Sequence, residues 1–244
     1  MRSPIAYEIN NHSPEERKRF VRKLFDSIVP TYDLLNRVLS AGIDSRWRAD
    51  VLRLTGDVRD RLVIDLCCGT GDLSRLLHDK GAKTVSIDFS AEMLRRGLKR
   101  KALQGDSILA DACVIPFGSN TFDVATVAFG IRNIPDLDHF MEEVHRVLKP
   151  GGRLAILELV RPRRRVIRFL YSRYLGTVLP LVGGIVSGRP LAYRYLSRSI
   201  ATFVDPPTVQ DLLERHGLTS VSFHPRTLGI AAIIVCQKGR DDAA

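Results

Sequence analysis

Between Arg61 and Asp72 the chain reads RLVIDLCCGTGD, an apolar run closed by Asp65 and followed by a tight glycine turn. A second apolar run, KTVSIDFS, ends about twenty residues later at Asp88. Gly69 and Gly71 let the backbone pass close to a ligand where a side chain would collide, and Asp88 at a strand's carboxyl end is placed to accept from ribose hydroxyls. A dinucleotide fingerprint would require a third glycine where Leu73, Ser74 and Arg75 stand, so the ligand carries no pyrophosphate. Asp65 and Asp72 bracket the turn with negative charge, which suits a nucleoside bearing a cation. S-adenosylmethionine, an adenosyl sulfonium, has that chemistry. Farther on, Asp111 follows another apolar run, where its carboxylate can accept from an adenine amino group or cap a helix.

A crevice of this kind needs strands whose carboxyl ends meet. The pattern predicts strands over 62–67, 84–88, 106–110, 122–128 and 152–159, with helices over 72–80, 91–101 and 137–148, hence a mostly parallel, doubly wound α/β sheet. Ahead of it, 13–54 carries apolar residues at helical spacing and reads as a helical cap, with its N-cap at Ser13 and a break at Pro30. The Pro150-Gly151-Gly152 turn is expected to lead from a helix into the strand after it. A helix from Pro206 to about His216 and a hairpin over 219–224 and 230–237 close the chain. The expected organisation is one domain over 1–244: cap 13–54, cofactor-binding core 61–159, basic apolar helical insertion 160–205 and closing segment 206–238.

The 244 residues are 45% hydrophobic and 26% charged, an ordinary globular balance, with a formal net charge of +10. The excess is localised. From Leu159 to Val204 there is no acidic residue, while nine arginines are interleaved with Ile167, Phe169, Leu170, Leu175 and Leu181. This segment reads equally as a membrane-surface element or as a helix pair with a solvated charged face; nucleic acid is the weaker expectation. The start of the chain has no apolar leader, and Tyr174–Gly188 is interrupted by Pro180 and glycines, so neither a signal peptide nor a transmembrane span is predicted. Four cysteines at 67, 68, 113 and 236 lack metal-ligand spacing and read as reduced thiols of a cytoplasmic protein.

The ordered set DLCCGTGD, SIDFSAEML, ADACVIPF, NTFDV and LKPGGRL resembles class I S-adenosylmethionine-dependent methyltransferases, a Rossmann-like fold with a seven-stranded sheet. Three further segments, Phe25–Arg48, Phe129–Asp136 (FGIRNIPD) and Tyr193–Phe203 (YRYLSRSIATF), are similar to the ubiquinone/menaquinone biosynthesis methyltransferases. The resemblance implies that Asp65, Gly69, Thr70, Gly71, Asp88, Phe89, Asp111 and Ala112 bind S-adenosylmethionine. It also implies C-methylation of a polyprenyl quinol, demethylmenaquinol to menaquinol or the equivalent benzoquinol step. Arg132 would then polarise the quinol oxygen, Asn133 and Tyr32 would orient ring or cofactor, and Asp33 or His145 would be candidate proton acceptors. The implied location is the cytoplasmic face of an anionic membrane; no metal or nucleic acid is implied and a homodimer is left open. The chain departs from many members at Ala128, where a small hydroxyl residue is usual, and at Asp44, where histidine is. Another methyl acceptor, RNA included, and a non-catalytic S-adenosylmethionine-binding protein are the alternatives.

Overall fold

The computed structural model describes residues 13–203 and 206–240; the N-terminal stretch read as lacking a leader, and residues 204–205 at the end of the insertion, lie outside them. Seven strands form one sheet in the order β3-β2-β1-β4-β5-β7-β6. They are β1 (Leu62–Leu66), β2 (Lys83–Asp88), β3 (Asp106–Leu109), β4 (Phe122–Ala128), β5 (Leu148–Leu159), β6 (Leu218–Arg226) and β7 (Ala231–Lys238). All pairings are parallel except those of β7, which runs antiparallel to both β5 and β6. Strand order reverses between β1 and β4, and an open α/β sheet binds its ligand outside the strand ends at such a point. The central strands are apolar on both faces because helices cover both: Ile64, Leu66, Val127 and Ile156 pack on one layer, Val63, Ala155 and Leu157 on the other.

Among the described residues two helices precede the sheet, α1 (Pro14–Leu39) and α2 (Ile43–Thr55). Ser13 and Glu16 close the start of α1 in a reciprocal capping box. Pro30 does not break this helix, contrary to the sequence expectation. Proline removes one backbone bond, and here Ile28, Val29 and Leu35, buried on either side of it, hold the axis in place. Helices α3 (Asp72–Asp79), α4 (Ala91–Lys99) and α5 (Leu137–Val147) are the crossovers of the parallel sheet. The expected turn at Pro150-Gly151-Gly152 is instead a bulge inside β5: pairing with β4 jumps from Phe122↔Leu148 to Val124↔Arg153, and Gly151 absorbs the kink at φ +75°.

After β5 come α6 (Arg165–Arg173), a π-helical turn (Tyr174–Val178), α7 (Leu179–Ser187), α8 (Pro190–Thr202) and α9 (Pro206–Arg215). Pro180 does not interrupt the run as expected, because it falls in the first turn of α7, next to the π-helical turn where the bonding pattern already changes. Arg165–Ser187 therefore forms one helical stretch of 23 residues containing an 18-residue window of mean hydropathy 1.3, long and apolar enough to cross a membrane by length and composition alone. Its inner face is packed: Leu175 and Leu179 join Ile28 and Leu35 of α1 and Ala192, Tyr193 and Ile200 of α8 in a third apolar cluster. A Cβ added at Gly183 would lie 2.3 Å from the Tyr193 ring. Gly183→Ala is thus expected to wedge α7 from α8 and cost about 1–3 kcal/mol; urea denaturation showing an unchanged midpoint would refute this packing.

Candidate active site

Two cavities meet at the carboxyl ends of β1, β2 and β4. The outer one, of about 330 Å³, is bounded by Gly69 after β1, Asp88 and Phe89 at the end of β2, Asp111 and Ala112 after β3, and Ala128 at the end of β4. Glu15, Lys18, Val21, Phe25 and Tyr32 of α1 roof it. A Cβ at Gly69, which sits at φ +57°, would meet no protein atom, so the turn presents bare backbone to the space. Gly71 serves another purpose: at φ +84° it caps α3, and a Cβ there would strike Leu103 at 2.5 Å. Gly130 lets the β1 and β4 loops touch, since its Cβ would lie 2.5 Å from Cys67 Cβ.

Asp88 accepts from Gly69 N and Ser90 N, each at 2.8 Å. Burial pushes its carboxyl up to about 6 against the pull of those two amides. Asp65 is also pushed up to about 6 by burial, but it lies beneath the turn, accepting from Ser74 Oγ at 2.5 Å and Thr126 Oγ1 at 2.8 Å. Thr70 likewise faces away from the cavity, donating to Asp33 at 2.6 Å. Of the eight residues expected to bind cofactor, Gly69, Asp88, Phe89, Asp111 and Ala112 line the space, whereas Asp65, Thr70 and Gly71 shape the loop around it. Asp111 is ion-paired to Lys18, which ties the start of α1 to the core. Two more polar ties follow along the helix: Ser90 Oγ donates to Asp26 at 2.5 Å, and Arg100 pairs with Asp33 at 2.7 Å.

The inner cavity is smaller, about 130 Å³, and mainly apolar, between α1, α2 and the α6–α8 insertion. Phe25, Tyr32, Phe129 and Asn133 line both cavities and form the wall between them. Phe129 is held at φ +59°, a strained conformation for an aromatic residue, with Trp47 6.3 Å and the Arg48 guanidinium 5.2 Å from its ring centre. Asn133 accepts from Tyr195 Oη of α8 at 3.1 Å. The Tyr32 hydroxyl is shifted above its ordinary range by burial, opposed by Asn36 and by the charges of Arg48 and Arg132.

Arg132 also lines the inner cavity. Its side chain is 5% exposed and is paired at 2.5 Å with Glu158, whose side chain is 0% exposed. The same Nη1 donates to Phe129 O at 2.8 Å, while Nε is buried with no partner among the described residues. Glu158 also accepts from Leu159 N at 2.7 Å; burial pushes its carboxyl up, and the Arg132 charge opposes that rise. Glu158 was not among the expected site residues. Its signal was an acid in the apolar strand run ILELV, at the ligand end of the sheet. Neither expected proton acceptor lines either of these two cavities: Asp33 is engaged with Thr70, Arg96 and Arg100, and His145 packs on Gly217 at the opposite ends of the strands. Asp44 does line the inner cavity, its carboxyl held below the usual range by Ser40 and Arg48 against the effect of burial. Removing one member of a buried pair leaves an uncompensated charge. Glu158→Leu is therefore expected to cost about 3–5 kcal/mol, and Arg132→Met with Glu158→Leu to recover most of it; equal loss in the single and double variants by urea denaturation would contradict the pairing.

Solved structures share this architecture. A Thermotoga maritima S-adenosylmethionine-dependent methyltransferase, described as a possible histamine N-methyltransferase, superposes with TM-score 0.65 at 18% identity, over 88% of this chain and 98% of that one. A Haemonchus contortus phosphoethanolamine N-methyltransferase complexed with S-adenosylhomocysteine gives TM-score 0.59 at 15% identity, over 79% and 52%. Sequence relatives lie much nearer. The Thermotoga maritima protein named demethylmenaquinone methyltransferase is 42% identical, covering 89% of this chain and 96% of its own, and the Thermus thermophilus protein of that name is 40% identical over 87% and 98%. The ubiquinone/menaquinone biosynthesis C-methyltransferase UbiE of Hahella chejuensis is 36% identical over 89% and 91%. The model of the ubiE/COQ5 methyltransferase family matches residues 11–238, from the cap helix through β7 and across both cavities. The chain belongs to that family and is an S-adenosylmethionine-dependent methyltransferase.

Proposed function

We propose that the protein methylates a ring carbon of a reduced polyprenyl quinone precursor, with demethylmenaquinol as the substrate and the benzoquinol step as the second reading. The names of the two relatives at 42% and 40% identity favour the naphthoquinol. The observation that carries the proposal is the shared wall: a nucleoside-sized cavity and an apolar one meet at Phe25, Tyr32, Phe129 and Asn133, with two buried guanidiniums, Arg48 and Arg132, on the apolar side.

Gly69, with an open backbone, and Asp88, with two carboxylate oxygens already oriented by amides, fit a ribose, while Asp111 and Ala112 lie where an adenine edge would reach. Asp65, Thr70 and Gly71 act through the shape of the turn. When bound, S-adenosylmethionine supplies an electrophilic methyl group on a sulfonium. The chain must then hold an aromatic ring carbon in line with it and stabilise the ionised quinol hydroxyl that makes that carbon nucleophilic. Arg132 is suited to this: its guanidinium keeps its charge, lies away from bulk water, and retains an unpartnered Nε. Tyr32 and Asn133, on the wall itself, orient the ring. Arginine does not act as a base at neutral pH, so water takes the proton released. The apolar tail lies between α1 and α6–α8, and the enzyme works from the cytoplasmic face of the membrane that holds the tail.

Incubation with S-adenosylmethionine and a short-chain demethylmenaquinone should give a methylated product by mass spectrometry only when a reductant is present. No product from either the naphthoquinol or the benzoquinol would overturn the proposal. Arg132→Lys should lower kcat by roughly a hundredfold while cofactor affinity changes less than about threefold; a change confined to KM would assign Arg132 to binding alone. Asp88 must be ionised to accept from ribose, and its raised value means that it gains its proton near pH 6. Cofactor affinity by calorimetry should be flat from about pH 7 upward and fall as pH drops through about 6. Asp88→Asn should bind roughly tenfold more weakly and lose that dependence. An unchanged affinity at pH 5 would remove Asp88 from ribose contact.

A further inference from the structure

A third depression, about 680 Å³, opens on the outer side of the insertion between α6 and α8. Five arginines line it: Arg161, Arg165, Arg168, Arg194 and Arg198. No ion pair is made by any of them among the described residues, and the chain has no acid between Leu159 and Val204 to offer. Arginine does not relieve such crowding by losing a proton, so an anion bound in the groove would lower the mutual repulsion. The quinol proposed above carries no anionic group to supply it. Guanidinium groups bind phosphate oxygens in bidentate fashion, and several converging on one groove form a phosphate-binding arrangement.

Two neighbouring features specify the source of that phosphate. Beside the groove, the helical run of α6 and α7 exposes Val166, Phe169, Leu170, Leu181 and Ile185, each more than half exposed, with Phe169 itself in the groove wall. Basic residues bordering an apolar helical face suit the boundary between lipid head groups and acyl chains. On its inner side the groove shares Tyr171, Leu175 and Ile200 with the apolar cavity, so one layer of side chains separates the two.

We propose that this groove binds the phosphate of an anionic membrane phospholipid and thereby seats the protein with the tail entrance of its inner cavity on the bilayer. The site extends the membrane reading of the proposed function, but its test does not depend on methylation. Vesicles with 30% phosphatidylglycerol in phosphatidylcholine, sedimented with the full chain, should bind it; vesicles of phosphatidylcholine alone should bind at least about tenfold less, and moderate salt should weaken the difference. Arg168→Glu with Arg194→Glu should remove most of the binding, and the double lysine variant should keep much of it. Lys80→Glu with Lys83→Glu, the same charge change at exposed sites far from the groove, should leave it nearly intact. Equal loss in the groove and remote variants would reduce the effect to net charge and overturn the site. Equal binding to uncharged vesicles would assign docking to the apolar face alone. Inorganic phosphate binding as tightly as monomeric dihexanoyl phosphatidylglycerol, or a groove-dependent affinity for single-stranded RNA without vesicle binding, would replace the lipid with another anion. Should every quinol fail as substrate while groove-dependent vesicle binding persists, the proposed function falls and the lipid site stands. With a short-chain quinol in solution the groove variant should match the parent enzyme; with a long-chain quinol in anionic vesicles it should be slower by roughly tenfold or more.

Discussion

The pairing of Arg132 with Glu158 is the interaction on which the site depends. Taking a guanidinium out of water is expensive, and here the cost is offset by a carboxylate and by a backbone carbonyl, with Nε left without a partner among the described residues. Glu158 does more than neutralise charge. Its oxygens accept from the backbone of Leu159 and from Arg132 Nη1, joining the end of β5 to the short turn after β4. That turn holds Phe129 in its left-handed conformation and delivers Asn133 to Tyr195. One buried acid therefore fixes the cation and three of the groups around it.

The two cavities pose opposite solvation problems, and α1 spans both. On one face the helix roofs the outer cavity and is tied to the core by Lys18–Asp111, Asp26–Ser90 and Asp33–Arg100. Partly exposed ion pairs of this kind contribute about 0–1 kcal/mol each. On another face, Ile28 and Leu35 sit in an apolar cluster with α7 and α8, where each buried side chain contributes about 1.5–3 kcal/mol. The helix is consequently held by polar ties over the outer cavity and by apolar burial over the inner one.

The sheet was legible because each parallel strand is a short apolar run ending in an acid or glycine, and the order of those runs constrains the topology. Gly69 and Asp88 were legible for the same reason: the backbone alone puts strand ends at the crevice. The departures arose where tertiary packing overrode local propensity. Pro30 and Pro180 carry a helix-breaking signal, yet both lie in continuous helical stretches, one held by buried neighbours and the other placed in a first helical turn. Thr70 is in the right loop with its hydroxyl turned toward Asp33, a direction that spacing does not specify. Glu158 was overlooked because an acid within an apolar strand gains meaning only when its partner, 26 residues away along the chain, is known to face it.

The insertion was ambiguous for a physical reason. An amphipathic stripe distinguishes core from solvent when only one face is apolar, but here both faces are. Leu175, Leu179 and Gly183 turn inward against α1 and α8, while Val166, Leu170, Leu181 and Ile185 turn outward. Periodicity averages the two sets into a uniformly apolar segment, which on sequence alone is equally a packed helix pair or a membrane element. The structure separates them by residue. The inward set packs beside the apolar cavity, and the outward set borders arginines that make no ion pair among the described residues. A helix can thus contribute to the core with one face and still present an apolar surface bordered by charge with the other.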